Sequence, residues 1–288
     1  MPVYGRGDAA FETLTMAESV QGKVVVITGG SSGIGRATAL EFAKQGAHLV
    51  IAARRAERLA EVCVKIESLG SECLAVTTDV ADRAQIQRLL ESALDRFGRV
   101  DIWINNAGFG LSGSAEETTP DEMMRLWHVN FQGVFDGSQI ALKQMRAQGS
   151  GHVMNVSSMA ALYPLPMNAA YTATKCAIFG FTDALSMELE GSGIHATTIL
   201  PSLTNTEFPK AAIRKHAGGE TKPPIIDSPE KVARRIVQCA RKPRPVLLFG
   251  PVPRLALAFH ALVPGFWRAL MRKYIASQTG GKGVQPPK

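Results

Sequence analysis

The sequence predicts an α/β protein: a single doubly wound parallel sheet with helices on both faces, followed by an added C-terminal helical segment. Three observations carry this. Strand-like and helix-like runs alternate from residue 24 to residue 249, the pattern that folds into parallel βαβ units with right-handed crossovers. The strand runs are apolar throughout rather than alternating, as strands covered on both faces are. No linker rich in Gly, Ser or Pro divides the 288 residues, and no internal repeat is present. One domain is therefore expected at 22–250, with its substrate lobe at about 202–228, an N-terminal extension at 1–21 and a basic apolar segment at 251–288.

Each element has its own warrant. Val24–Ile27 is a β-branched run ending in Thr28-Gly29-Gly30, hence a buried strand and then a turn. A helix starts inside that Gly/Ser turn and stops by Gly46. Leu49–Ile51 is the second strand; Leu59, Val62, Cys63, Ile66 and Leu69 then recur at helical spacing up to Gly70. Leu74 and Val76 mark a third strand, and Ile86, Leu89, Leu90, Ala93 and Phe97 share one helical face. Val100–Ile104, Val153–Val156 and His195–Leu200 are further strands with helical segments between them, and Tyr171–Glu190 reads as a helix. Ser228-Pro229 is an N-cap with Pro at the first helical position, opening a helix to about Cys239; Pro245–Phe249 is the last strand.

Hydrophobic residues make up 45% and charged residues 20% of the chain, which excludes a disordered or collagen-like polymer. The +7 net charge is made by +12 after Glu230 against −5 before it, because no acid follows Glu230. A general nucleic-acid-binding surface is therefore not expected, whereas a local anionic partner for the tail stays open. Cys63, Cys73, Cys176 and Cys239 have neither CxxC nor metal-ligand spacing, so reduced thiols and no metal site are expected. Residues 1–20 hold Arg6, Asp8, Glu12 and Glu18, leaving no core for a secretory signal, and no run of 18 apolar residues occurs. A cytoplasmic location is expected.

Gly29, Gly33 and Gly35 fall between the first strand and the first helix, where glycines allow a tight turn and bring helix N-terminal amides to a pyrophosphate. The spacing is GxxxGxG rather than the commoner GxGxxG, and its strand–turn–helix setting favours dinucleotide binding over a structural turn. About 20 residues after the first glycine, NAD sites place an acid on the ribose 2′-hydroxyl. Here the second strand ends Ala52-Ala53-Arg54-Arg55. A guanidinium suits a 2′-phosphate, so NADP(H) is expected over NAD(H), chiefly through Arg54. A solvated helix start is the alternative role for the two arginines.

Tyr171 and Lys175 lie one helical turn apart and share a face. On spacing alone that is weak. The strand Val153–Val156 ends at Ser157-Ser158, and Val100–Ile104 ends at Asn105-Asn106-Ala107-Gly108, at the sheet edge where such folds place ligands.

With these residues in order, the chain resembles the short-chain dehydrogenase/reductase family over roughly residues 22–250. The motifs are Thr28–Gly35, Asp79-Val80, Asn105–Gly108, Asn130, Ser158 (13 residues before Tyr171) and Tyr171–Lys175. The resemblance implies a Rossmann-like fold, a nicotinamide cofactor, a small carbonyl or alcohol substrate and a homodimer or homotetramer. It implies catalytic roles for Asn130, Ser158, Tyr171 and Lys175. Tyr171 would be the acid in reduction or the base in alcohol oxidation, its pKa lowered by the Lys175 ammonium and the oxidised nicotinamide. Ser158 would bind the substrate oxygen, Lys175 the nicotinamide ribose, and Asn130 a water that passes protons to Lys175. The cofactor would meet Gly29, Ser31, Ser32, Gly33, Ile34 and Gly35 at the loop, Arg54 and Arg55, then Asp79, Val80 and Asn106 on the adenosine side. Ala107, Gly108, Pro201, Thr204 and Thr206 would complete its contacts, with Tyr171 and Lys175. Without the resemblance, the lesser alternatives are an Asx-turn role for Asp79 and a helix-bend role for Asn130. The family usually has Pro-Gly where this chain has Pro201-Ser202, which is accommodated unless that φ must be positive.

Substrate choice is expected at Met159–Asn168 and Thr204–Ile226, where Leu162, Tyr163, Leu165, Met167, Phe208 and Ile213 form either an apolar pocket or lid packing. A bulky hydrophobic ketone or alcohol follows from the first. Beyond Gly250, two short apolar, basic helices split by Pro264-Gly265 are either a cap or subunit contact, or a peripheral anchor on the inner face of a membrane. Two rival functions remain: a non-catalytic NADPH-binding regulator, disfavoured by the intact Ser158, Tyr171 and Lys175, and a serine hydrolase using Ser31 in G-x-S-x-G. The hydrolase is disfavoured because its turn follows the first strand, with no upstream sheet to complete an oxyanion hole.

Overall fold

A computed structural model describes residues 18–164, 166–206, 208, 212–215 and 227–249, with 262, 263, 265, 266 and 269. The expected C-terminal helices, most of the N-terminal extension, Leu165 and Ile226 lie outside the described residues. Strand β1 (Val24–Thr28) is buried at every position. It pairs in parallel with β2 (His48–Ala53) on one side and β4 (Ile102–Asn105) on the other. Strand β3 (Cys73–Thr77) lies outside β2; β6 (Gly151–Val156), β7 (Ile194–Leu200) and β9 (Val246–Leu248) continue beyond β4. The order β3-β2-β1-β4-β6-β7-β9 is parallel throughout. Chain order reverses between β1 and β4, so a crevice opens beyond the carboxyl ends of these strands.

Helices cover both faces. On one, α1 (Gly33–Ala43), α2 (Ala56–Glu67) and the last helix, α7 (Pro229–Arg241), bury Phe42, Leu59, Ile66 and Ile236 against the sheet. On the other, α3 (Arg83–Phe97), α5 (Gly133–Gln148) and α6 (Ala169–Glu188) bury Ile86, Leu89, Ile140 and Leu185. Each such fully buried side chain stabilises the fold by about 1.5–3 kcal/mol. The Ser228 cap is present, its hydroxyl accepting from the Lys231 amide.

Three features depart from the expectations. Cys63 on α2 and Cys73 on β3 form a disulfide, with Cα atoms 5.3 Å apart, which overturns the expectation of four reduced thiols; Cys176 and Cys239 are free. The chain reverses at Gly70, so the inward face of α2 comes back over the start of β3. Helix α4 (Pro120–Trp127) opens on a Thr119/Glu122 capping box and runs into a π-helical turn at His128–Gln132. Val20, ahead of the expected domain start, is buried, and the Glu18 amide donates to the Arg241 carbonyl at 2.9 Å.

Candidate active site

The Gly/Ser loop is shaped by backbone. Gly29 and Gly33 have φ of +68° and +55°, conformations that strain any residue with a Cβ. A Cβ on Gly35 would stand 2.4 Å from the Gly29 carbonyl oxygen and 2.5 Å from Asn106 Nδ2. Ser32, the N-cap of α1, makes no side-chain cap, so the first-turn amides remain available to an anion. The Asn106 amide donates to Thr28 Oγ1 (3.0 Å) and its side chain to the Thr28 carbonyl (2.9 Å), stitching the end of β4 to the end of β1. The Ala107 amide also donates to Thr28 Oγ1. This cradle fits a dinucleotide pyrophosphate.

Both arginines are exposed, and it is Arg55 that reaches the loop: its Nη2 lies 3.4 Å from Ser31 Oγ and 3.3 Å from Ser32 Oγ. Asp79, just past β3, closes an Asx turn, its Oδ1 accepting from the Ala81 amide at 3.0 Å, so the alternative role is present. Val80 lies against Gly133, where a Cβ would meet the Val80 carbonyl oxygen at 2.7 Å.

Ser158, Tyr171 and Lys175 come together at the end of β6. Ser158 hydrogen-bonds Tyr171, and its Oγ accepts from the Ala160 amide at 3.1 Å. Lys175 Nζ lies 5.7 Å from the Tyr171 ring centroid and donates to the Val156 carbonyl at 2.9 Å. Asn130 is fully buried in the π-helical turn, a feature often found at functional sites. Its Oδ1 accepts from the Phe109 amide (3.0 Å) and its Nδ2 donates to the Phe109 carbonyl (2.9 Å). The Asn130 side chain therefore holds the loop carrying Gly108, where a Cβ would stand 3.0 Å from Asn130 Oδ1.

Burial shifts both Tyr171 and Lys175. Burial pushes the Tyr171 phenol up to about 12, against a smaller downward pull from the Ser158 hydrogen bond. Burial also brings the Lys175 amine down to about 7. Burial therefore disfavours the charged form of both groups.

The described residues between 202 and 228 are tied to the core at separate points. Strands β5 (Leu111–Ser112) and β8 (Ile213–Arg214) pair in parallel, and Lys215 forms an ion pair with Glu122. Thr204 bridges Asp227, and the Ser202 hydroxyl donates to the Asp227 carboxylate. Among the described residues Met167 is the one non-glycine with positive φ (63°), so Ser202 sits unstrained where the family usually has glycine. Thr206 Oγ1 accepts from the Phe208 amide at 3.1 Å, and Thr206 lies over Gly33. The Phe208 ring stands edge to face with Tyr171, centroids 6.0 Å apart. Behind the site, Asn105 Nδ2 donates to Asn155 Oδ1 (2.8 Å) and Asn155 Nδ2 to Thr182 Oγ1 (3.0 Å), a buried network that the sequence reading missed. An asparagine inside an otherwise apolar strand was the available signal.

The short chain dehydrogenase family model matches residues 23–217. An uncharacterized oxidoreductase of Listeria monocytogenes is 40% identical over 192 residues, which cover 66% of this chain and 77% of the relative. A short-chain dehydrogenase/reductase from Burkholderia phymatum, solved in complex with NAD, matches with a TM-score of 0.78 at 25% identity, over 94% of this chain and 99% of that one. An alcohol dehydrogenase from the archaeon Thermococcus sibiricus, complexed with 5-hydroxy-NADP, matches with a TM-score of 0.69 at 26% identity, over 79% and 95%. The parallel sheet, the glycine cradle and the Ser158–Tyr171–Lys175 cluster thus stand in a chain that belongs to the short-chain dehydrogenase/reductase family of oxidoreductases.

Proposed function

We propose that this chain is an NADP(H)-dependent oxidoreductase interconverting an apolar ketone or aldehyde and its alcohol, with Tyr171 as the proton donor in reduction. The observation that carries this reading is the grouping of Ser158, Tyr171 and Lys175 at the carboxyl end of β6, beside the uncapped start of α1. Structural relatives hold NAD or an NADP analogue, so they support a nicotinamide cofactor of either kind. Arg55 at the loop serines, and the lack of an acid at the end of β2, support the 2′-phosphate form. The glycine loop and the α1 amides would hold the pyrophosphate, and Arg55 the 2′-phosphate.

When bound, the cofactor supplies the hydride. With its pKa near 12, Tyr171 carries its proton at neutral pH and enters reduction as the acid. Its O–H bond breaks as the substrate oxygen takes that proton, and Ser158 steadies the oxygen by hydrogen bonding. Lys175, near 7, exists in both charge states around neutrality and stands under the Tyr171 ring to favour the resulting phenolate. Alcohol oxidation requires Tyr171 to lose its proton first, which moves that direction to alkaline pH.

The test is NADPH consumption against a panel of carbonyl compounds. Tyr171→Phe should lower kcat/KM by about 10²–10⁴-fold, and Arg55→Ala should lower the preference for NADPH over NADH by about tenfold. Turnover surviving Tyr171→Phe overturns the mechanism, and an unchanged preference overturns the role of Arg55.

On the same reading we infer a cytoplasmic homodimer or homotetramer whose basic tail is either a cap or subunit contact or a peripheral contact with an anionic membrane face. Leu262 and Phe266 are 80% and 59% exposed, and no acid follows Glu230, which supports the membrane contact. Among the described residues no helix is long and apolar enough to cross a membrane.

A further inference from the structure

We propose that Phe208 determines which carbonyl compounds the site accepts, as an aromatic wall selecting substrates whose carbonyl carbon bears a flat apolar group, aryl or conjugated. The proposal rests on the oxidoreductase reading above and deepens it. Phe208 is a large apolar side chain left 37% exposed, yet its ring meets Tyr171 at 6.0 Å with a 62° interplanar angle. Beside this contact with the proton donor, the ring also lies close to backbone: an ideal Cβ on Gly110 would stand 3.1 Å from Phe208 Cε1. Any side chain at Gly110 would press on the ring from behind.

The position of the ring is fixed from the backbone as well. The Phe208 amide donates to Thr206 Oγ1. Upstream, Thr204 bridges Asp227; downstream, β8 pairs with β5 and Lys215 meets Glu122. The ring thus meets the phenol that would protonate the substrate while part of its own surface stays exposed. Offset or edge-to-face contact at 4.5–7 Å is the arrangement aromatic rings prefer, and a planar substrate group can take a third place in it. A saturated ring of equal bulk gains the contact area without the ring-to-ring preference. Because the contact is made by a non-reacting part of the substrate beside the reacting oxygen, it should appear in kcat as well as KM.

The probes are methyl phenyl ketone and methyl cyclohexyl ketone, matched in size and differing in flatness, measured as NADPH oxidation by the full chain. The unaltered protein is expected to prefer the phenyl compound. Phe208→Ala and Phe208→Leu should each reduce the phenyl-to-cyclohexyl ratio of kcat/KM by about five- to tenfold, and Phe208→Tyr should keep it. Gly110→Ala pushes the ring without removing it and must shift the same ratio, so the proposal stays testable if both truncated variants fail to fold. No preference in the unaltered protein, or a ratio unmoved by the Phe208 variants, overturns it. If the ketones turn over and Tyr171→Phe abolishes the turnover while the ratio stays fixed in the Phe208 variants, this proposal alone is lost. If no carbonyl compound consumes NADPH, the oxidoreductase reading falls and takes this one with it.

Discussion

Buried titratable groups stand at both ends of strand β6, His152 on the strand itself and Tyr171 and Lys175 on α6 beside its far end, and burial displaces both sets far from their ordinary values. At its start, His152 Nε2 lies 2.7 Å from Thr197 Oγ1, whose hydroxyl donates to the Arg244 carbonyl at 2.6 Å. The threonine proton is thereby used, so His152 must donate from Nε2, and its buried Nδ1 has no partner. Burial, with a smaller push from His195, drives His152 down to about 3. At the far end of the strand, burial puts Tyr171 near 12 and Lys175 near 7. The displacements are comparable, so displacement alone does not mark a site. What differs is the outlet: His152 is enclosed between β7 and α7, whereas the Ser158 end opens to the crevice under a ring that covers it only in part.

Removing a titratable group should therefore have opposite consequences at the two ends. Lys175→Met is expected to lower kcat/KM by about a hundredfold or more while the melting temperature stays level or rises. A fully buried amine is costly to keep, and losing its bond to Val156 offsets only part of that relief. Steady-state kinetics and a thermal melt on the same preparation check this. A variant with normal turnover, or one that loses fold and activity together, would erase the contrast.

A smaller effect is expected at Asn155, the last residue but one of the strand. Asn155 accepts from Asn105 and Ser138 and donates to Thr182, joining β4, α5 and α6 behind the active end. Asn155→Leu strands those partners and should cost about 1–3 kcal/mol in urea unfolding. Its effect on kcat should be much weaker than that of Lys175→Met, because no reacting atom is touched. If kcat fell as far as in Lys175→Met, the network would be part of the active end rather than a support for it.

The same division explains what the sequence made legible. Strand β1, the glycine turn and the Ser228-Pro229 cap are local: neighbours in sequence decide them, and each is present. The one-turn offset of Tyr171 and Lys175 is also local, and it carried over into space. What could not be read depends on distant chain. The β5–β8 pair is two residues from each of two loops a hundred residues apart, with no run long enough to show a period. The Cys63–Cys73 bridge needs the reversal at Gly70, which cysteine spacing does not encode. The burial that lowers the Lys175 pKa is likewise set by distant chain, because a sequence gives a residue its charge but not its surroundings. Arg55, the N-cap residue of α2, rather than Arg54 reaches the loop serines, a one-residue choice that composition cannot settle.

The enclosed end gives the last and smallest contrast, one visible only as acid approaches. In the unfolded chain His152 titrates near 6.5, whereas in the folded chain it titrates near 3. Between those values the unfolded state binds more protons, so stability is full above about pH 6.5 and falls with pH at up to about 1.4 kcal/mol per unit. From pH 7 to pH 5 this residue alone should cost about 2 kcal/mol. His195, also depressed by burial, contributes in any variant that keeps it and so cancels. His152→Leu should therefore show a pH 7-to-5 loss in urea-derived stability about 2 kcal/mol smaller than the unaltered protein, with turnover at pH 7 within about twofold. An equal acid slope in both would mean that the enclosed histidine takes up its proton without unfolding, and the far end of β6 would then have an outlet of its own.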